Sequence, residues 1–139
     1  PVCLPYRERQ HRYWNKTDWY DIASDMEPII QKKGIKYFRY NEAGDFESDE
    51  DISKLNRIAI YLEKKYGVIT YGYTQRRDLN FKGVRFIVKG SGWDGPDGQT
   101  KIIMKGEDVP IGFELCPGRN CGIKCFSCMR KGNISFHKH

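Results

Sequence analysis

The chain has 139 residues, a formal net charge of +6 and aromatic side chains at 14% of its positions. A chain of this length is expected to form one domain with a real hydrophobic core. Charges interrupt every apolar stretch before it reaches the length of a membrane span, and the first residues lack the apolar core of a signal peptide. We therefore expect an intracellular protein without a membrane segment. Its basic charge is compatible with nucleic-acid binding but does not require it.

Residues 1–16 mix aromatic side chains with arginine and lysine. We interpret them as a loop or arm whose aromatic residues pack onto the domain. Basic residues interleaved with aromatic ones also occur in nucleic-acid-binding arms. An α/β core is predicted over 17–115, followed by a tail over 116–139 that packs on it.

Residues 18–33 place apolar side chains at helical spacing. Thr17 or Asp18 can cap the start of this helix, and Gly34 can end it. Pro28 lies inside the pattern and predicts a kink or two separate segments, because proline removes a backbone donor.

A second helix is predicted between a cap at Ser48 and a stop at Gly67. Its buried stripe is predicted to consist of Ile52, Leu55, Ile58, Ala59 and Leu62. Strands are predicted at 35–40, 68–73, 84–89, 101–104, 111–115 and 133–137, with a glycine-rich loop over 90–99. The order predicts an α/β fold with a small, partly parallel sheet resembling an incomplete barrel. Its first two strands are expected to be parallel and joined by a right-handed crossover.

Four cysteines fall within thirteen residues near the end of the chain: Cys116, Cys121, Cys125 and Cys128. Four thiolates at this spacing can close a tetrahedral shell around zinc. His137 or His139 could replace one of them as the fourth ligand. Pro117, Gly118 and Gly122 let the backbone turn tightly enough for its amides to approach sulfur.

The last three cysteines also allow an iron–sulfur cluster. Their Cys-x3-Cys-x2-Cys spacing resembles the cluster motif of radical S-adenosylmethionine enzymes, in which an open iron binds the cofactor. That motif normally follows the first strand of a larger barrel, whereas here it lies near the end of a shorter chain. Ser127 also stands where an aromatic residue usually precedes the last cysteine. Disulfides or free thiols are the remaining alternative.

Polar residues follow each of the first three predicted strands, and the carboxyl ends of parallel strands gather at one edge of a sheet. The side chains expected on this rim are Glu42, Asp45, Thr74, Arg76 and Ser91. With Arg76 or Arg77 as partner, such a rim could hold a small anionic ligand. The alternative is that Asp45 and Ser48 cap the second helix and that the arginines are solvated.

Several short motifs resemble those of bacteriophage proteins of the gene-product-88 type. They are an Arg-Tyr-Trp-Asn start, Phe-Arg-Tyr-Asn-Glu-Ala-Gly-Asp-Phe, Tyr-Gly-Tyr-Thr, Gly-Ser-Gly, Cys-Pro with three further cysteines, and Asn-Ile-Ser-Phe-His-Lys-His. The resemblance implies a phage origin, a place in the host cytoplasm and a metal-binding tail, but no particular activity. Similar proteins often carry further N-terminal cysteines, whereas this chain has only Cys3 there. It is either a shorter variant or lacks an N-terminal segment.

Three functions follow from these features. The first is a protein whose cysteine-bound metal, zinc or an iron–sulfur cluster, clamps the C-terminus while the domain binds a host protein or nucleic acid. The second is an iron–sulfur enzyme with a truncated barrel and a substrate side around Glu42, Asp45 and Arg76. The third is general nucleic-acid binding through the basic arm.

Overall fold

The structure, a computed structural model, describes residues 4–40, 45–118 and 127–138. Its helices are α1 (Leu4–Lys16), α2 (Trp19–Lys33) and α3 (Asp49–Tyr66). Its strands are β1 (Tyr37–Arg39), β2 (Ile69–Thr74), β3 (Ile87–Ser91), β4 (Gln99–Ile103), β5 (Phe113–Leu115) and β6 (Asn133–His137), and a 3-10 turn covers Ser127–Met129.

The strands form one sheet in the order β1-β2-β3-β4-β6-β5. The predicted α/β class is confirmed, and so is the parallel pairing of the first two strands. The sheet is more regular than predicted, since every neighbouring pair within it is parallel. None of the described helices is both long enough and apolar enough to cross a membrane.

The predicted N-terminal loop is instead a helix, α1. Pro5 lies in its first turn, where a proline costs no helical hydrogen bond. Trp14 anchors the helix, because its Nε1–H donates to Asp51 Oδ1 at 2.7 Å and its ring packs against the core. Lys54 holds the same C-terminal end of the helix by donating to the carbonyls of Trp14 and Thr17. The helical state of α1 thus depends on tertiary contacts, which the local sequence pattern does not indicate.

Of the two predicted outcomes at Pro28, a division into two segments is wrong, since α2 runs through the proline as one helix. Ile22 and Ala23 before the proline and Ile30 after it are all buried in the same cluster. Packing on both sides therefore outweighs the lost backbone hydrogen bond. Asp18 caps the start, as predicted, by accepting from Tyr20 N–H at 2.8 Å.

The hydrophobic core lies under the first three strands. All five residues of the predicted α3 stripe are buried, and they join two apolar clusters with residues of α2 and β3. Among the described residues, neither cluster contains a side chain from β4, β5 or β6. That half of the sheet buries Ile103 and Ile134 but leaves Ile102 67% exposed. The two described apolar clusters are therefore confined to one half of the sheet.

Candidate metal centre and sheet rim

The structure describes two of the four clustered cysteines, Cys116 and Cys128, and both are half-buried. Cys121, Cys125 and the predicted alternative ligand His139 lie outside the described residues. Within 4–40, 45–118 and 127–138, no group of three or more metal-ligating side chains is present. The four-cysteine site therefore stays a prediction. The other alternative ligand, His137, is exposed at the end of β6.

Cys116 directly continues β5. Its N–H donates to Ser135 O at 2.8 Å, which extends the pairing between β5 and β6 by one residue. Its sulfur accepts the N–H of Gly118 at 3.4 Å, and Gly118 adopts a left-handed backbone with φ +58°. The predicted approach of a glycine amide to sulfur is confirmed at this position. Hydrogen bonds to ligand atoms orient the ligands of metal sites, so this bond suits a metal-binding cysteine.

Glu114 of β5 holds the part of the tail between Ser127 and Arg130. This carboxylate accepts hydrogen bonds from Ser127 Oγ and, at 2.8 and 2.9 Å, from Arg130 Nη2. The hydrogen bonds from Ser127 and Arg130 lower the pKa of Glu114. Glu114 and Cys116 are two residues apart on an extended chain, so their side chains lie on the same side of it. The anchor for Ser127 therefore lies close to the sulfur of Cys116.

Lys89 ties the tail to the middle of the sheet. The residue is completely buried in β3, and its ammonium donates to three backbone carbonyls: Asp97 O at 3.3 Å, Arg130 O at 2.6 Å and Gly132 O at 2.5 Å. Burial lowers the pKa of Lys89. Three acceptors compensate for desolvation of the ammonium and fix the chain just after Cys128.

Cys128 itself lies against β2. A hydrogen bond with Cys128 contributes to raising the pKa of Tyr73, although burial of the phenol is the larger cause. Both described cysteines are thus attached to the sheet, one at each end of the 119–126 segment.

On the predicted rim, the structure brings Asp45, Thr74 and Arg76 together. Asp45 Oδ1 accepts from Thr74 Oγ1 at 2.6 Å and from the N–H of Phe46, while Oδ2 accepts from Gln75 N–H at 2.6 Å. Asp45 thus connects the chain before α3 with the end of β2. Ser48 occupies the N-cap position of α3, as predicted, but its side chain makes no cap hydrogen bond.

Arg76 is also occupied within the protein. Its Nη1–H donates to the carbonyls of Phe46 and Glu47 at 3.0 and 3.2 Å, and its Nε–H and Nη2–H bind Asp78 at 2.8 and 2.7 Å. The hydrogen bond to Asp78 raises the pKa of Arg76. These contacts favour a positioning role for Arg76 over a solvated one.

The remaining rim candidates do not join this network among the described residues. Glu42 lies outside those residues, and Ser91 ends β3, where it pairs with Thr100 of β4. A ligand-binding role for the rim stays a prediction.

Two residues that sequence reasoning did not assign to a site hold the tail and the loop after β3 in place. Lys89 could have been noticed as the charge that ends the apolar run Phe-Ile-Val. Trp93 could have been noticed as an aromatic residue surrounded by turn-forming glycines after a strand. Its Nε1–H donates to Thr74 O at 2.9 Å.

Fold and site together define a parallel α/β protein whose cysteine-bearing tail is attached to the sheet at both described ends. The chain matches no protein-family model, no curated protein and no solved structure. Its function is therefore inferred from the physical chemistry of its own residues.

Proposed function

We propose that the four clustered cysteines bind one metal, with zinc as the first candidate, and that this metal clamps the C-terminal segment to the sheet. The observation that carries the proposal is the hydrogen bond from Gly118 N–H to Cys116 Sγ, next to a tail fixed at Glu114 and Lys89. The clamp would act in the half of the sheet that contributes nothing to the two described apolar clusters. Metal binding there adds directly to folding stability.

Elemental analysis of natively purified protein tests the clamp first, and one zinc per chain is expected. Chelation should lower the melting temperature and remove hydrogen-exchange protection from β4 and β6 before α3. Cys116→Ser should lose the metal, while Cys3→Ser, outside the cluster, should keep it. Chelated protein with an unchanged melting temperature and an intact tail would falsify the clamp.

For the partner, we propose nucleic acid, with a host protein as the alternative. Arg9, Arg12 and Lys16 are exposed and follow one another at spacings of three and four along α1. Side chains at this spacing share one helix face. Trp14, which anchors the helix, is two residues from Arg12 and from Lys16 and therefore points to the opposite side. None of the three cations forms an ion pair with another described residue. A free basic stripe of this kind suits a phosphate backbone.

Binding to single-stranded oligonucleotides at several salt concentrations tests this partner. Replacing Arg9, Arg12 and Lys16 with Gln should flatten the dependence of log K on log salt by about 2. A matched triple variant at exposed Lys32, Lys33 and Lys36 should change it much less. No binding at low salt would exclude nucleic acid and leave a host protein as the partner. A phage origin and a place in the host cytoplasm accompany this proposal as implications of the family resemblance.

The second candidate is an iron–sulfur enzyme of the radical S-adenosylmethionine kind. It is favoured by the all-parallel, six-stranded sheet together with the spacing of the last three cysteines. Anaerobic purification distinguishes the two candidates. A brown, oxygen-sensitive protein that contains iron supports the enzyme, and a colourless zinc protein supports the clamp.

A further inference from the structure

A shallow cavity of about 390 Å³, wide open to solvent, lies between the loop after β2 and the loop after β3. It therefore lies at the carboxyl edge of adjacent parallel strands, the edge at which such sheets usually bind ligands. Its lining combines apolar and cationic side chains: Arg77, Leu79, Phe81, Lys82, Trp93 and Pro96. The rim network of Asp45 and Arg76 does not line it.

Trp93 forms a fixed aromatic wall of this cavity. Its indole N–H is held by Thr74 O at 2.9 Å. Its ring also lies against the backbone of Gly90, where a Cβ would come within 2.8 Å of Trp93 Cδ2. The ring is therefore oriented before any ligand arrives, which lowers the entropy cost of stacking on it.

The two arginines at this edge differ sharply in what they contact. Arg76 is bound to two carbonyls and a carboxylate, whereas the guanidinium of Arg77 lies over the Trp93 ring, 5.8 Å from its centroid, in a cation–π contact. Neither Arg77 nor Lys82 forms an ion pair with another described residue. Asp94 is the one carboxylate in the lining, so the cavity carries a net positive charge.

We propose that this cavity binds a nucleotide, with its base packed against Trp93 and its phosphate held by Arg77 and Lys82. Guanidinium groups bind phosphate through charge-assisted hydrogen bonds, and an indole ring stacks on any base. The nucleotide can be free or can be the terminal nucleotide of a nucleic-acid strand, since both present the same groups. The inference rests neither on the metal clamp nor on the α1 stripe.

Titration of the purified protein with AMP, UMP, adenosine and inorganic phosphate tests the site, with calorimetry and tryptophan fluorescence as readouts. Saturable binding of a nucleoside monophosphate at one site per chain is expected, stronger than that of adenosine or phosphate. Arg77→Gln should weaken it about tenfold, the value of one charge-assisted hydrogen bond. Lys64→Gln, a matched exposed cation outside the cavity, should leave it unchanged.

The Trp93→Phe variant shows which of the three tryptophans is quenched by the bound nucleotide. Quenching should disappear in that variant while Trp14 and Trp19 still fluoresce. Tighter binding of an oligonucleotide with a terminal phosphate, equally sensitive to Arg77→Gln, would identify a strand end as the source. The absence of saturable binding at millimolar nucleotide, equal weakening by Arg77→Gln and Lys64→Gln, or phosphate binding as tightly as AMP would each overturn the proposal.

Discussion

The sheet has two halves that are stabilised in different ways. Strands β1 to β3 lie with α2 and α3 around two apolar clusters. Strands β4, β6 and β5 contribute no residue to either described cluster. Buried Lys89 of β3 links them to the first half, and a close glycine contact and the Glu114 carboxylate join their segments to one another. The first half depends on the hydrophobic effect, and the second depends on hydrogen bonds to particular backbone atoms.

This difference explains why a metal would matter in one place and not in the other. A sheet backed by helices derives its stability from the apolar surface that it buries. A half without such a cluster needs another source of stability, and metal ligation is a common one in small structures. The four cysteines lie at the end of the chain that forms this second half.

The largest expected effect comes from truncating a buried side chain in the first half. Leu55 is fully buried, so Leu55→Ala should lower the free energy of unfolding by about 3–4 kcal/mol. Ile102→Ala removes an apolar side chain of the other half that is 67% exposed, and it should change stability by less than about 0.5 kcal/mol. Chemical denaturation measures both. Similar losses from the two variants would contradict the dependence of the first half on apolar burial.

A backbone contact in the second half comes next. A Cβ on Gly98 would lie 2.1 Å from Gly132 O, and the φ of Gly98 is +124°. Gly98→Ala should therefore lower stability by about 2–3 kcal/mol, from strain and displacement of the tail. Gly106→Ala is the matched control, because Gly106 also has a positive φ but nothing lies within 4 Å of its Cβ position. If Gly106→Ala is equally destabilising, the close approach is not the cause.

Loss of the Lys89 ammonium should have a smaller effect. Lys89→Met removes three hydrogen bonds but also the cost of burying a charge, so a net loss of about 2 kcal/mol is expected. Hydrogen exchange should show that amides of β6 lose protection more than amides of α3. Lys101→Met, at an exposed position in β4, should leave both unchanged. Uniform loss of protection across the sheet would show that Lys89 does not act locally on the segment before β6.

The sequence indicated most of what depends on apolar periodicity. The α3 stripe is as predicted, because burial on one face of a helix repeats at a fixed spacing. The β6 bounds at 133–137 are also as predicted. The helical state of α1 depends on Trp14 reaching Asp51, and continuity through Pro28 depends on packing from both sides. Contacts between residues this distant in the chain leave no periodic signal.

The site divides in the same way. The prediction that Asp45, Thr74 and Arg76 lie together was correct, because parallel strands place their carboxyl ends at one edge of the sheet. Spacing could not tell that Arg76 binds carbonyls of the chain before α3 whereas Arg77 faces a cavity. The local backbone after β2 decides which of these two adjacent arginines binds the chain before α3 and which lines the cavity.

The smallest expected effect concerns pH and the seam between α2 and α3. Hydrogen bonds from Lys65, Tyr61 and Tyr66 lower the pKa of Glu27 from 4.5 to about 2. A carboxyl group whose pKa is lower in the folded state stabilises the protein above its unfolded pKa, and that contribution is lost as pH falls. Wild-type stability should therefore decline between about pH 4.5 and pH 2 more steeply than that of Glu27→Gln, with the extra loss at the α2–α3 seam. Glu8→Gln, on the exposed α1, should follow the wild type. Parallel acid profiles for wild type and Glu27→Gln would show that this seam does not depend on the Glu27 charge, and hydrophobic packing alone would then hold α2 to α3.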